Sequence, residues 1–240
     1  MNMFYLIDTS GSMNYHGCID SVNNAMPQII GILRQISVAN HDQGDIYLNC
    51  ITFDSEARLL YERPVAAEDC VWAPLQASGL TNLGAAFDLL ERQMHRSAAL
   101  DSPHGHLRPA VILLSDGDPD DGWEAALERL RQNRWFRDAY KIAIAVGADA
   151  ANVTNRRALS RFADPLNVGG KHNIIRVDNL ARLGEVIRLV SATVSRLGSQ
   201  STDFREASVG DQVSREIHLG VDSLGGVWVP AIGVDDSTWL

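Results

Sequence analysis

Three runs of five residues, Met3 to Ile7 (MFYLI), Ala110 to Leu114 (AVILL) and Ile142 to Val146 (IAIAV), are apolar throughout. A strand with one wet face alternates, so uninterrupted runs belong to strands covered on both faces, as in a parallel sheet between helical layers. Helical patterns separate them. Ile19, Val22, Met26, Ile29, Leu33 and Ile36 step by three and four and draw one stripe, with Pro27 inside it as a kink or a late start. Leu83 to Ala98 and Gly122 to Arg134 read as helices, the second with Asp120 or Asp121 at its cap position. Asp45 to Phe53, Ala57 to Tyr61, Cys70 to Ala73 and Asn173 to Val177 supply further strands, and a short helix covers Arg156 to Phe162. Asp178 is placed to cap a last helix, with Leu180, Leu183, Val186, Ile187, Val190, Val194 and Leu197 inward and Gly198 as its stop. The alternation predicts an α/β fold.

A chain of 240 residues buries ~70% of its unfolded surface, enough for a core without metal or disulfide staples. Cys18, Cys50 and Cys70 are odd in number and lack CxxC spacing, which predicts reduced core thiols. A formal net charge of −9 opposes both nucleic acid and an anionic membrane surface as partners. No apolar run approaches the ~20 residues of a membrane span. The start, MNMFYLIDTSGS, has no basic n-region, so the expected location is cytoplasmic. The character changes after Gly198: residues 199–240 hold seven acidic and two basic residues. With strand-like pieces at Glu216 to Val221 and Gly226 to Val229, this acidic C-terminal extension reads as a hairpin or a linker following a domain at 1–198.

Asp8-Thr9-Ser10-Gly11-Ser12 follows the first strand, at the carboxyl edge where open α/β sheets bind ligands. Thr81 lies on a loop just before a helix (GLTNLGAAF), and Asp116 ends the buried strand in LLSDG. Each alone is a helix cap or a turn former. Together, three loops at one sheet edge offer two carboxylates and three hydroxyls. Such hard oxygen donors suit Mg²⁺, Mn²⁺ or Ca²⁺.

These segments resemble the metal-ion-dependent adhesion site (MIDAS) of von Willebrand factor A domains, over about residues 1–198. The resemblance implies a Rossmann-like fold with a six-stranded, mainly parallel sheet in the order 3-2-1-4-5-6, one antiparallel edge strand and helices on both faces. It implies a metal held by Asp8, Ser10, Ser12, Thr81 and Asp116, some directly and some through water. The expected function is non-enzymatic: divalent-metal-dependent binding of a protein partner that offers an Asp or Glu carboxylate. Within the family, DTSGSM, GLTNLGAAF and LLSDGDPDD look most like the bacterial tellurium-resistance TerY-like proteins. That likeness implies a stress, tellurite-resistance or phage-defence setting with a kinase or phosphatase partner. Some TerY-like relatives continue into a cysteine-rich zinc module, whereas residues 199–240 contain no cysteine.

Other signals have plainer readings. Pro119 and the spacing around Asp116-Gly117-Asp118-Pro119-Asp120-Asp121 argue against a calcium-binding EF-hand loop. His95, His104 and His106 lack companions at zinc-ligand spacing. Arg129, Arg131, Arg134 and Arg137 form a solvated face, or else a contact for an acidic partner. The enzymatic rival is a haloacid-dehalogenase-like phosphatase, which needs a carboxylate two positions after its nucleophilic Asp. Here that position is Ser10. A subunit with a purely structural ion is the other alternative.

Overall fold

The computed structural model describes residues 1–39, 45–96, 107–117, 119–120, 122–147, 153–163, 171–177, 179–198, 207–224 and 227–230. In chain order the elements are β1 (Asn2–Asp8), a 3-10 turn (Gly11–Gly17), α1 (Cys18–Ala39), β2 (Tyr47–Phe53), β3 (Ala57–Leu59) and β4 (Val65–Ala66). Then come α2 (Leu83–Arg96), β5 (Ala110–Ser115), α3 (Trp123–Gln132), α4 (Arg134–Asp138), β6 (Tyr140–Val146) and α5 (Val153–Phe162). The chain continues through β7 (Lys171–Val177), α6 (Leu183–Gly198), α7 (Ala207–Ser223) and β8 (Val227–Pro230).

The sheet runs β3-β2-β1-β5-β6-β7-β8. β2, β1, β5, β6 and β7 are mutually parallel, and β3 is antiparallel to β2. This is the anticipated six-strand order and edge. The short β4 also pairs antiparallel with β2, and β8 adds an antiparallel strand beyond β7.

Period-two alternation sorts β1 between two cores. Met3, Tyr5 and Ile7 face α1, α6 and α7, while Phe4 and Leu6 face α2 to α5. Tyr5 also donates its hydroxyl hydrogen to Ser191 Oγ at 2.9 Å, joining the central strand to α6. On the second face Phe87, Phe136 and Phe162 pack ring to ring, with centroids 5.8 and 6.0 Å apart. All three cysteines are buried and outside any disulfide, and burial pushes the Cys50 and Cys70 thiols up, the protonated direction expected of core thiols.

Several local expectations need correcting. Cys70 to Ala73 forms no strand; α1 straps the stretch instead, with Asn23 Oδ1 accepting from Leu75 N at 2.8 Å and Trp72 Nε1 at 3.2 Å. The cap of α3 is Gly122, at φ 94°, with no side-chain capping bond. The helix expected over Gly122 to Arg134 breaks at Asn133, whose side chain caps α4 by accepting from Trp135 N and Phe136 N. Asn179 caps the turn before α6, and Asp178 lies outside the described residues. α1 runs through Pro27 without a break.

The largest correction is in the extension. Glu216 to Val221 is helix, inside α7, and β8 belongs to the main sheet. Over its described residues the extension is therefore neither a hairpin nor a linker. Val213, Ile217 and Val221 enter the core shared with α1 and α6. Among the described residues no helix is long and apolar enough to cross a membrane.

Candidate metal centre

β1 lies at the point where the chain order of the sheet reverses, with β2 on one side and β5 on the other. Ligand crevices of open α/β sheets form beyond the carboxyl ends of strands at such a point. Register makes those ends level: Asp8 pairs with Phe53, and Ile7 with Leu114. Asp8 and Asp116 thus emerge on either side of the switch.

Hydrogen bonds gather the predicted residues. Asp8 Oδ1 accepts from Ser10 N at 2.8 Å, and Ser10 Oγ lies 3.0 Å from Ser12 Oγ. Ser12 Oγ donates to Asp116 Oδ1 at 2.8 Å, closing a chain across 104 residues of sequence. Thr81 joins through Gly117. A Cβ built there would stand 3.3 Å from Ser12 Oγ and 4.0 Å from Thr81 Oγ1, so both hydroxyls look onto the same small space. Backbone bonds hold the loops in place: Gly11 N donates to Gly79 O at 3.0 Å, Ser78 N to Thr9 O at 2.8 Å, and Asp120 N to Thr81 O at 2.9 Å. These bonds link Asp8, Ser10, Ser12 and Asp116, and Thr81 faces the same space across Gly117.

Asp8 is fully buried and Asp116 is 9% exposed. Burial, with the charge of Asp116 adding to it, pushes the Asp8 carboxyl up to about 6, against the opposing hydrogen bonds from Ser10 and Ser115. Two neighbouring buried acids, surrounded by hydroxyls, form an anionic set that a hard divalent cation compensates. Among the described residues no three His, Cys, Asp or Glu side chains gather anywhere, so a zinc site of the Cys/His type is absent from them.

The von Willebrand factor type A domain profile matches residues 2–189, most of the chain. The chain belongs to the von Willebrand factor type A family. No curated protein sequence matches it closely enough to count as a relative. Solved structures that share the von Willebrand A fold include a von Willebrand factor type A protein of Catenulispora acidiphila, 17% identical with a TM-score of 0.59 over 81% of this chain and 42% of that one. The PilB minor pilin of Streptococcus sanguinis is 14% identical, with a TM-score of 0.53 over 86% of this chain and 63% of that one. Proximal thread matrix protein 1 of the mussel byssus, described with a zinc-occupied MIDAS motif, is 17% identical, with a TM-score of 0.50 over 82% and 45%. This von Willebrand A chain spans less than two thirds of each.

Three residues outside the predicted set shape the pocket. Ser115 Oγ donates to Asp8 Oδ2 at 2.7 Å and so fixes the second carboxylate oxygen. Its sequence signal is faint: one hydroxyl closing an apolar strand next to Asp116. Ser55 Oγ accepts from Leu80 N at 3.1 Å, and Ser55 O accepts from Asn82 Nδ2 at 3.3 Å, which props the Thr81 loop from the end of β2. Gly79 sits at φ 77°, and a Cβ there would lie 2.7 Å from Ser55 Oγ. Gly79→Ala is therefore expected to cost about 1–3 kcal/mol of stability in a denaturant titration and to weaken metal binding by moving Thr81. Wild-type stability in this variant would refute the strain.

The other singled-out residues stay outside the pocket. Arg129 pairs with Asp88 at 2.8 Å, Arg131 with Glu128 at 2.7 Å, and the Arg134 guanidinium lies 4.5 Å from the centre of the Trp135 ring, so most of the arginine face is satisfied within the fold. His95 pairs with Glu91 on α2 at 2.7 Å. His104, His106, Asp118 and Asp121 lie outside the described residues.

Proposed function

We propose that this chain is a divalent-metal-dependent protein-binding module. Its ion is held by Asp8, Ser10, Ser12, Thr81 and Asp116, and a carboxylate from a protein partner takes the remaining position. The observation that carries this reading is the convergence of five oxygen-bearing side chains from three loops around a buried acid pair. Two carboxylates and three hydroxyls leave a divalent ion with unsatisfied charge, which a foreign Asp or Glu completes. The donor set favours Mg²⁺, Mn²⁺ or Ca²⁺; the zinc described in the mussel protein supports a divalent cation at a pocket of this kind.

The module does no chemistry of its own. A phosphatase of the haloacid-dehalogenase type requires a second acid at position 10, where Ser10 stands, and a Lys beside the late acidic loop. Lys141 is committed elsewhere: at the amino end of β6, the opposite edge of the sheet from Asp116, its Nζ donates to Phe136 O at 2.9 Å and Ala139 O at 2.8 Å. The likeness of DTSGSM, GLTNLGAAF and LLSDGDPDD to TerY-like proteins supports a bacterial, cytoplasmic setting in stress response, tellurite resistance or phage defence. There a kinase or phosphatase of the same system supplies the carboxylate.

Calorimetric titration with Mg²⁺ and Mn²⁺ tests the site. One ion per chain is expected for the wild type, and Asp116→Ala is expected to lose it. Partner capture follows the same pattern, with retention in Mg²⁺ and release by EDTA. Wild-type metal affinity in Asp116→Ala, or capture indifferent to chelator, rejects the reading.

A further inference from the structure

Two exposed apolar side chains stand on the loops that carry the hydroxyls. Tyr15 is 69% exposed and Leu80 is 62% exposed. Scattered surface apolar residues are ordinary, and Val38 on α1, Leu219 on α7 and Val71, nine residues before Leu80 in the same connection, are of that kind. Tyr15 and Leu80 differ in their place. Gly11–Gly17 is a 3-10 turn, in which side chains three apart eclipse, so Tyr15 lies on the same side of the turn as Ser12. Thr81 turns inward and is nearly buried, whereas its neighbour Leu80 faces water.

Hydrogen bonds tie down the backbone beneath both. Asn14 Nδ2 donates to Ala77 O at 2.8 Å, Gly11 N to Gly79 O at 3.0 Å, and Leu80 N to Ser55 Oγ at 3.1 Å. An exposed apolar group on a fixed backbone loses little further entropy when covered, which is the property of an interface anchor. The remaining side of the rim carries Asp116 and the exposed Asp120. The rim thus carries one exposed apolar side chain on the side of Ser12 and one on the side of Thr81, and acids on the third.

Resting on the metal-site reading above, we infer that the partner carboxylate is presented on a segment whose neighbouring residues are apolar: an Asp or Glu flanked by aliphatic or aromatic side chains that cover Tyr15 and Leu80. A run of acids is repelled by Asp116 and Asp120 once its first carboxylate has met the ion. A polar segment leaves both anchors in water.

The probe is a displayed library of seven-residue peptides with a fixed central Glu and random flanks, panned on Mn²⁺-loaded protein and eluted with EDTA. Enrichment of Leu, Ile, Phe, Tyr or Trp beside the Glu is expected. The enriched peptides should bind Tyr15→Ser or Leu80→Ser about tenfold more weakly, while both variants keep wild-type Mn²⁺ affinity, since neither side chain supplies a metal ligand. Absence of any enriched peptide, polar or acidic flanks, or binding unchanged in both variants overturns the inference and leaves the metal site standing. Failure of the wild type to bind Mn²⁺ overturns the metal site itself.

Discussion

Asp8→Asn is expected to stabilise the metal-free protein at pH 7 and to destroy its response to metal. Asp8 is buried among apolar strands with its carboxyl pushed up to about 6 from 3.8, burial being the main cause. The folded state holds the proton more tightly than the unfolded chain does. Stability tied to this group is therefore fully present below pH 4, falls as pH rises from about 4 to 6, and stays lost above. That shift corresponds to about 3 kcal/mol at pH 7. Asn removes the charge and keeps both bonds: its Oδ1 accepts from Ser10 N, and its Nδ2 donates to the Ser115 hydroxyl, which rotates to accept. The variant should thus be more stable by about 1–3 kcal/mol at pH 7 without metal, and the difference should vanish near pH 4. Saturating Mn²⁺ closes most or all of that gap. At a hundredfold excess over Kd the ion adds about 3 kcal/mol to the wild type. Asn has lost a charged ligand, so it binds about 100-fold more weakly and gains little. Denaturant titrations at pH 4 and 7, with Mn²⁺ and with EDTA, measure all four corners. Equal stability at pH 7 without metal would show that Asp8 carries no such burden, and equal Mn²⁺ stabilisation would remove it from the site.

The same carboxylate explains why the candidate centre is legible in sequence. β1 and β5 are apolar runs that end in Asp8 and in Ser115-Asp116, and an acid at the end of a doubly buried strand has few purely structural uses. The fold class followed from those runs. What sequence concealed depends on contacts between distant segments: the prop from Ser55 to Leu80, the left-handed Gly79 beside it, and the bond from Ser115 to Asp8. Helix α7 was misread for a local reason. Ile217, Leu219 and Val221 alternate like a strand, while Val213, Ile217 and Val221 also recur every four residues like a helix. Leu219 separates the two periods, and it faces water while the other three are buried. Gly210 and Gly220, both poor helix formers, weaken the helical signal of this stretch.

Ile217→Ala and Leu219→Ala, two apolar positions two residues apart, are accordingly expected to differ sharply. Ile217 is 1% exposed and packs in the core of α1 and α6, so its truncation should cost about 2–5 kcal/mol. Leu219 is 72% exposed, and its truncation should change stability by less than about 0.5 kcal/mol. Urea titration of both variants measures the contrast; equal effects would mean that α7 is not seated as described. Removing everything after Gly198 extends the argument. It takes away three buried side chains, Val213, Ile217 and Val221, each contributing about 1.5–3 kcal/mol by burial. The sum, about 5–9 kcal/mol, equals the whole stability of many domains. It also bares Leu189 on α6, which Gly220 meets so closely that a Cβ there would lie 2.5 Å from Leu189 Cδ2. The shortened chain is therefore expected to be insoluble or largely unfolded, even though residues 2–189 satisfy the family profile. A well-folded 1–198 fragment that still bound Mn²⁺ would show that α7 and β8 are accessories to the core. Its collapse would tie them to the same face of the sheet that α1, the helix following the Ser10 and Ser12 loop, packs against.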